Sequence, residues 1–126
     1  MADIQQLPIY FKIYQLTKIL YGIVRSFPKE YKYELGREIL DHSWQCLDLV
    51  ILANASFSKE KATKIALLSA TFDQLKVRLR MAQEIGLFSE RQLGHLQINY
   101  LKEIGGMIGG WLRWSKDSRQ TKMAYE

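Results

Sequence analysis

In four stretches of this chain the apolar residues recur at alternating spacings of three and four, and no stretch shows the two-residue alternation of a strand. The first stripe is Ile9, Ile13, Leu16, Leu20, Ile23 and Phe27. The second, within about residues 31–55, is Leu35, Ile39, His42, Cys46, Leu49 and Ala53. Ile65, Leu68, Phe72, Leu75, Leu79 and Ala82 make the third, and Tyr100, Ile104, Met107, Trp111 and Trp114 the fourth. Each stripe predicts a helix that buries one face. Pro8 and Pro28 sit where helices can begin, Ser58 is an N-cap candidate and Gly86 a C-terminal stop. Ser89 and Gln92 have the spacing of a capping box, so the third and fourth helices are joined by a tight hairpin. Short connections set neighbouring helices antiparallel. The expectation is an all-α, antiparallel up-down-up-down four-helix bundle over residues 1–115, followed by a disordered polar tail at 116–126.

At 126 residues and 48% hydrophobic, the chain suits one domain with a real core. A single cysteine, Cys46, cannot form an internal disulfide, and with only His42 and His95 beside it no zinc-type ligand set is spaced for a metal. Charged residues interrupt every apolar run before it reaches bilayer length, and no basic, apolar leader opens the chain. These features predict a soluble, unprocessed, cytoplasmic protein without metal or cofactor.

Within the fourth helix, the stretch EIGGMIGGWLRW at 103–114 carries Gly105, Gly106, Gly109 and Gly110. Each glycine costs a helix interior about 1 kcal/mol relative to alanine, so close approach of another backbone is expected to offset them. Counted at about 100° per residue, the four fall in one arc of about 140°, across the helix from the stripe of apolar residues. A transmembrane glycine dimer is excluded by the flanking charges, and a phosphate loop by the missing strand and Walker lysine. The first helix carries a second stripe, Tyr10, Tyr14, Thr17, Tyr21 and Val24, about 100° from its core stripe, which one bundle cannot also bury. Tyr10, Tyr14 and Tyr21 together with the four glycines are therefore expected to form an interface between copies of the chain.

Net charge is +5, unevenly spread: residues 29–58 sum to −2 and residues 59–80 to +4. Such asymmetry suits one face for an anionic partner. Lys76 and Arg80 are helix neighbours flanking the apolar stripe, and Arg91, His95, Lys102, Arg113 and Lys116 run beside the glycines. The expected nucleic-acid contacts are Lys76, Arg80 and Arg113, with Arg91 and Lys116 contributing, holding phosphates rather than reading bases.

EIGGMIGGWLRW resembles the EIGxMLGGWIK signature near the end of the accessory variability determinant proteins of diversity-generating retroelements, with the glutamate, paired glycines and tryptophan in register. RLRMAQEIGLFSERQ at 78–92 is similar to the segment joining helices three and four in that family, and FPKEYKYELG at 27–36 to the region before helix two. The likeness spans about residues 9–115 and extends more loosely to proteins encoded in ribosomal RNA intervening sequences, which act as structural or RNA-binding scaffolds. One departure is Gly106, where family members often carry lysine. The resemblance implies a four-helix bundle that assembles as a pentameric ring, carries basic surfaces such as that of Lys76 and Arg80, and associates with a reverse transcriptase and with RNA or DNA during mutagenic copying. A thinner similarity links Arg37 and His42, spaced R-x4-H, to all-helical HEPN-type ribonucleases. Here Glu38 follows the arginine and His42 falls on the apolar stripe. With no GxSxG elbow or nucleotide fingerprint in the chain, no catalytic residue is assigned.

Overall fold

The first long helix, α1 (Pro8–Arg25), follows a 3-10 turn at Ile4–Gln6 and starts on Pro8, whose missing N–H belongs to the turn that needs none. In this computed structural model the described residues are 4–125 for the backbone, with side chains described to Asp117 except that of Gln5. After Pro28 comes a single turn, α2 (Lys29–Lys32). The other elements are α3 (Leu35–Ala55), α4 (Ser58–Glu84), α5 (Glu90–Leu96), a π-helical turn (Gln97–Leu101) and α6 (Lys102–Tyr125). No strand occurs among the described residues. The backbone of 116–125, read from sequence as a polar tail, continues α6.

Between α4 and α5 the chain turns by the devices its residues encode. Gly86 takes φ +87°, a region costly for other residues; its N–H reaches the Gln83 carbonyl at 3.0 Å and that of Leu87 reaches the Ala82 carbonyl at 2.9 Å. Ser89 then closes a capping box: its hydroxyl accepts from the Gln92 N–H at 3.1 Å, and its own N–H donates to Gln92 Oε1 at 3.0 Å. Ser58 is the first residue of α4 rather than the residue before it, with φ 51°.

Four rods pack around one core. The whole third stripe is buried, and so is the first apart from half-buried Ile23. In α3 the core widens to include Ser43, Leu47 and Val50, while Leu35 and His42 are only half-buried. Thr17 and Val24, placed by sequence on the exposed second stripe of α1, are buried. The Thr17 hydroxyl donates to the Ile13 carbonyl at 2.8 Å and lies 2.6 Å from Ser43 Oγ, so its burial leaves no polar group unpaired. Cys46 is wholly buried, and desolvation pushes its thiol up to about 12. Cross-helix contacts include Tyr21 with Trp44, Glu38 with Arg78, Phe72 with Gly105 and Lys12 with Glu103.

Gly36 shows where a glycine is sterically required. A Cβ built there would lie 2.7 Å from Val24 Cγ1 and 3.3 Å from the Tyr31 carbonyl oxygen. Val24 is buried and stiff at χ1, so it cannot retreat cheaply. Gly36→Ala is therefore expected to destabilise the fold by about 1–3 kcal/mol in urea titration. Adding Val24→Ala should cost less in that background than alone, because the clash is gone; equal costs would show that Val24 is not the obstacle.

Candidate functional site

The last long rod cannot be a plain α-helix, because Leu93, Leu96, Leu101, Ile104 and Ile108 are all buried in one core. The step of five from Leu96 to Leu101 would turn an α-helix about 140° away from the core. The π turn absorbs the surplus residue: the Lys102 N–H bonds back to the Gln97 carbonyl, one residue further than in an α-helix. Asn99 supports the turn from within, its amide donating to the His95 carbonyl at 3.0 Å.

Beyond the turn, the buried face of α6 is not the expected stripe. Ile104 is buried as read from sequence, but its companions are Leu101, Ile108 and Ser115, whereas Tyr100, Met107 and Trp111 are half-buried and Trp114 is 55% exposed. The two tryptophans border α4 instead, with Lys61 Nζ 6.0 Å from the Trp111 ring centroid and 5.9 Å from that of Trp114. The π turn rotates what precedes it by about 100° relative to α6, one α-helical residue. Arg91 and His95 are thereby set apart from the line of Lys102, Arg113 and Lys116 that counting along the sequence had given them.

Between α4 and the π turn lies an open hollow of about 560 Å³, with Lys76, Arg80 and Lys102 at its border and Val77, Ile98 and Leu101 among its apolar walls. Ile98 is 77% exposed. Lys76 pairs with Asp73 at 3.2 Å, both exposed, and its Nζ lies 5.2 Å from the Phe72 centroid. An exposed pair of this kind is worth no more than about 1 kcal/mol, so Lys76 can exchange its partner for a phosphate. Arg80 makes no ion pair among the described residues. The structure thus joins Lys76 to Arg80 and adds Lys102, while Arg113, eleven positions beyond Lys102, lies about 16 Å further along the helix axis. Arg91 and Lys116 are exposed outside the hollow.

The glycines of α6 contrast with Gly36. A Cβ on Gly105 would stand 3.7 Å from the Phe72 ring, an ordinary contact, and one on Gly106 would meet nothing within 4 Å. At Gly109 and Gly110 the nearest atoms are those of the Arg113 guanidinium, at 3.5 and 4.0 Å. Nothing among the described residues requires these positions to lack a side chain. On α1, Tyr10 stacks on Tyr14 with centroids 6.0 Å apart, and the Tyr21 hydroxyl accepts from Trp44 Nε1 at 2.9 Å. The tyrosines lie on the flank of α1 beside α3. The opposite flank, marked by the Lys12–Glu103 ion pair at 3.0 Å, meets α6.

Arg37 and His42 are not brought together. Five residues apart on α3, they lie about 140° apart around its axis. Arg37 borders a hollow shared with α1, whereas the half-buried His42 holds the Glu38 carbonyl through Nδ1 at 2.8 Å. Among the described residues no three side chains are grouped to hold a metal ion, and no helix is long and apolar enough to cross a membrane.

The chain matches no curated protein and no solved structure. Residues 7–115, the region containing the four rods, the π turn and the paired glycines, match the model of the bAvd-like family, and the chain belongs to that family.

Proposed function

We propose that this chain is a non-catalytic, cytoplasmic accessory protein of a diversity-generating retroelement, built as an up-down-up-down bundle that closes into a basic ring and supports mutagenic reverse transcription and retrohoming. The observation that carries this reading is the family match across residues 7–115. Its partners are the element's reverse transcriptase and RNA or DNA. An adjacent reverse transcriptase gene with paired template and variable repeats is the expected genomic setting; a site inside a ribosomal RNA gene would favour the intervening-sequence scaffold instead.

Assembly is supported by two faces on different flanks of one subunit, the Tyr10, Tyr14 and Tyr21 flank and the face of Gly105, Gly106, Gly109 and Gly110. Two unlike faces joining head to tail generate a closed ring when the rotation per subunit closes, and the resemblance points to five. Gly106→Ala separates the two roles of that position. It should stabilise the isolated subunit by about 1 kcal/mol through helix propensity, yet weaken the ring by obstructing close backbone approach. Light scattering across a dilution series, with urea titration of the dissociated subunit, checks both effects. A wild-type mass equal to one subunit at micromolar concentration would refute assembly.

For nucleic acid, Lys76, Arg80 and Arg113 take phosphates, with Arg91 and Lys116 contributing. Lys102 joins them because it shares the hollow with Lys76 and Arg80. Replacing Lys76 and Arg80 by alanine should weaken binding to all sequences alike and flatten the log–log salt dependence by about 0.9 for each phosphate no longer neutralised on duplex DNA. Unchanged affinity across the salt series would reduce these side chains to a solvated helix face.

A further inference from the structure

A second basic hollow, remote in sequence from Lys76 and Arg80, lies between α1, α2 and α3. It has a volume of about 400 Å³, within the range of small-molecule sites, and joins three cations, Arg25, Lys32 and Arg37, to three aromatic rings, Tyr21, Tyr33 and Trp44. Asp41 also borders it, leaving a local balance of three cations against one carboxylate. None of the three cations makes an ion pair among the described residues. The rings are open to solvent: Tyr21 is 44% exposed, Trp44 43% and Tyr33 64%.

The chemistry of the rings is constrained. Trp44 commits its one polar hydrogen to the Tyr21 hydroxyl at 2.9 Å, a bond between α3 and α1 that holds the indole in place. What the indole then offers a ligand is its π face. Exposed aromatic rings among cations without ion pairs, on α1, α3 and the turn at Tyr33 between α2 and α3, fit a planar ring that carries a nearby negative charge. An acidic peptide would use the cations and leave the rings idle. An apolar ligand would use the rings and leave three charges idle.

We propose that this hollow is a nucleotide site, in which a base stacks on Trp44 with Tyr33 beside it and the phosphate is held by Arg25, Arg37 and Lys32. The shared chemistry admits two sources, a free nucleotide or one unit of a single strand; duplex DNA, with its bases already stacked, is disfavoured. The site stands apart from the Lys76 and Arg80 surface and does not rest on it. Tyr21 is its link to the proposed subunit face, so assembly must be measured alongside binding.

The test uses the full chain carrying Lys76→Ala and Arg80→Ala, so that failure here is separable from failure of that surface. Anisotropy of a labelled short oligothymidylate is competed with thymidine monophosphate and with unlabelled duplex. Single strand should bind more tightly than duplex. Competition by the mononucleotide at millimolar concentration identifies a free-nucleotide site; its failure to compete identifies a strand site. Trp44→Leu should weaken binding about tenfold, and Trp44→Phe, which keeps a ring but no donor, should restore most of it. Arg25→Gln with Arg37→Gln should flatten the salt dependence by about 0.7 for each phosphate no longer neutralised on a single strand. Light-scattering mass should be unchanged in every variant. Absence of binding to strand and mononucleotide, wild-type affinity in Trp44→Leu, equal losses in the leucine and phenylalanine variants, or a fall in mass that accompanies weaker binding would each overturn the proposal.

Discussion

Burying Leu96 and Leu101 in the same core is the constraint from which the arrangement of this protein's last long rod follows. A regular α-helix cannot place two residues five apart on one face, and each leucine left in water would forfeit about 1.5–3 kcal/mol of burial. The π turn at Gln97–Leu101 resolves the conflict, with Asn99 donating to the His95 carbonyl. Once that turn is in place, the orientation of everything after it is fixed: Ile104 and Ile108 inward, Gly106 outward, Lys102 beside Lys76 and Arg80. A helical irregularity made to satisfy packing thus also decides which cations share a surface.

The same logic explains what was legible in the sequence. The stripe of α4 was readable residue by residue, since Ile65, Leu68, Phe72, Leu75, Leu79 and Ala82 obey a single period and all six are buried; those of α1 and α3 were readable except at Ile23, Leu35 and His42, which are half-buried. Local devices were readable too, because the capping box at Ser89 and the left-handed Gly86 depend only on neighbours in the chain. Arg91 was misplaced because a one-residue insertion has no composition of its own; it shows only as an extra step between apolar residues, here Leu96 to Leu101. Trp114 was misplaced for another reason: α6 offers two apolar stripes that share Ile104, and the buried one runs through Ile108 rather than through the larger Met107, Trp111 and Trp114. Thr17 was misplaced because the hydroxyl that satisfies its burial belongs to Ser43 on another helix. The requirement for glycine at position 36 was likewise invisible, resting on Val24 across a helix pair.

The glycines divide into two opposite cases. Gly36 is justified within the subunit, where its missing side chain admits Val24 and lets α1 and α3 close together. Gly106, Gly109 and Gly110 have no such counterpart among the described residues. The cost these glycines bring to α6 is therefore not offset by packing among the described residues, and the proposed assembly is the reading that would offset it.

Cys46 has a consequence of its own. It is the only thiol in the chain, it is fully enclosed by α3 and its neighbours, and its pKa stands at about 12. While it stays buried, desolvation keeps the thiol protonated at neutral pH and withholds the reactive thiolate. Alkylation therefore waits for the helices to part, and its rate reports how much of the chain is open when reclosing outpaces the reagent, or how often it opens when the reagent is faster. The core thus carries its own reporter of opening, one thiol per subunit, with no engineered residue needed.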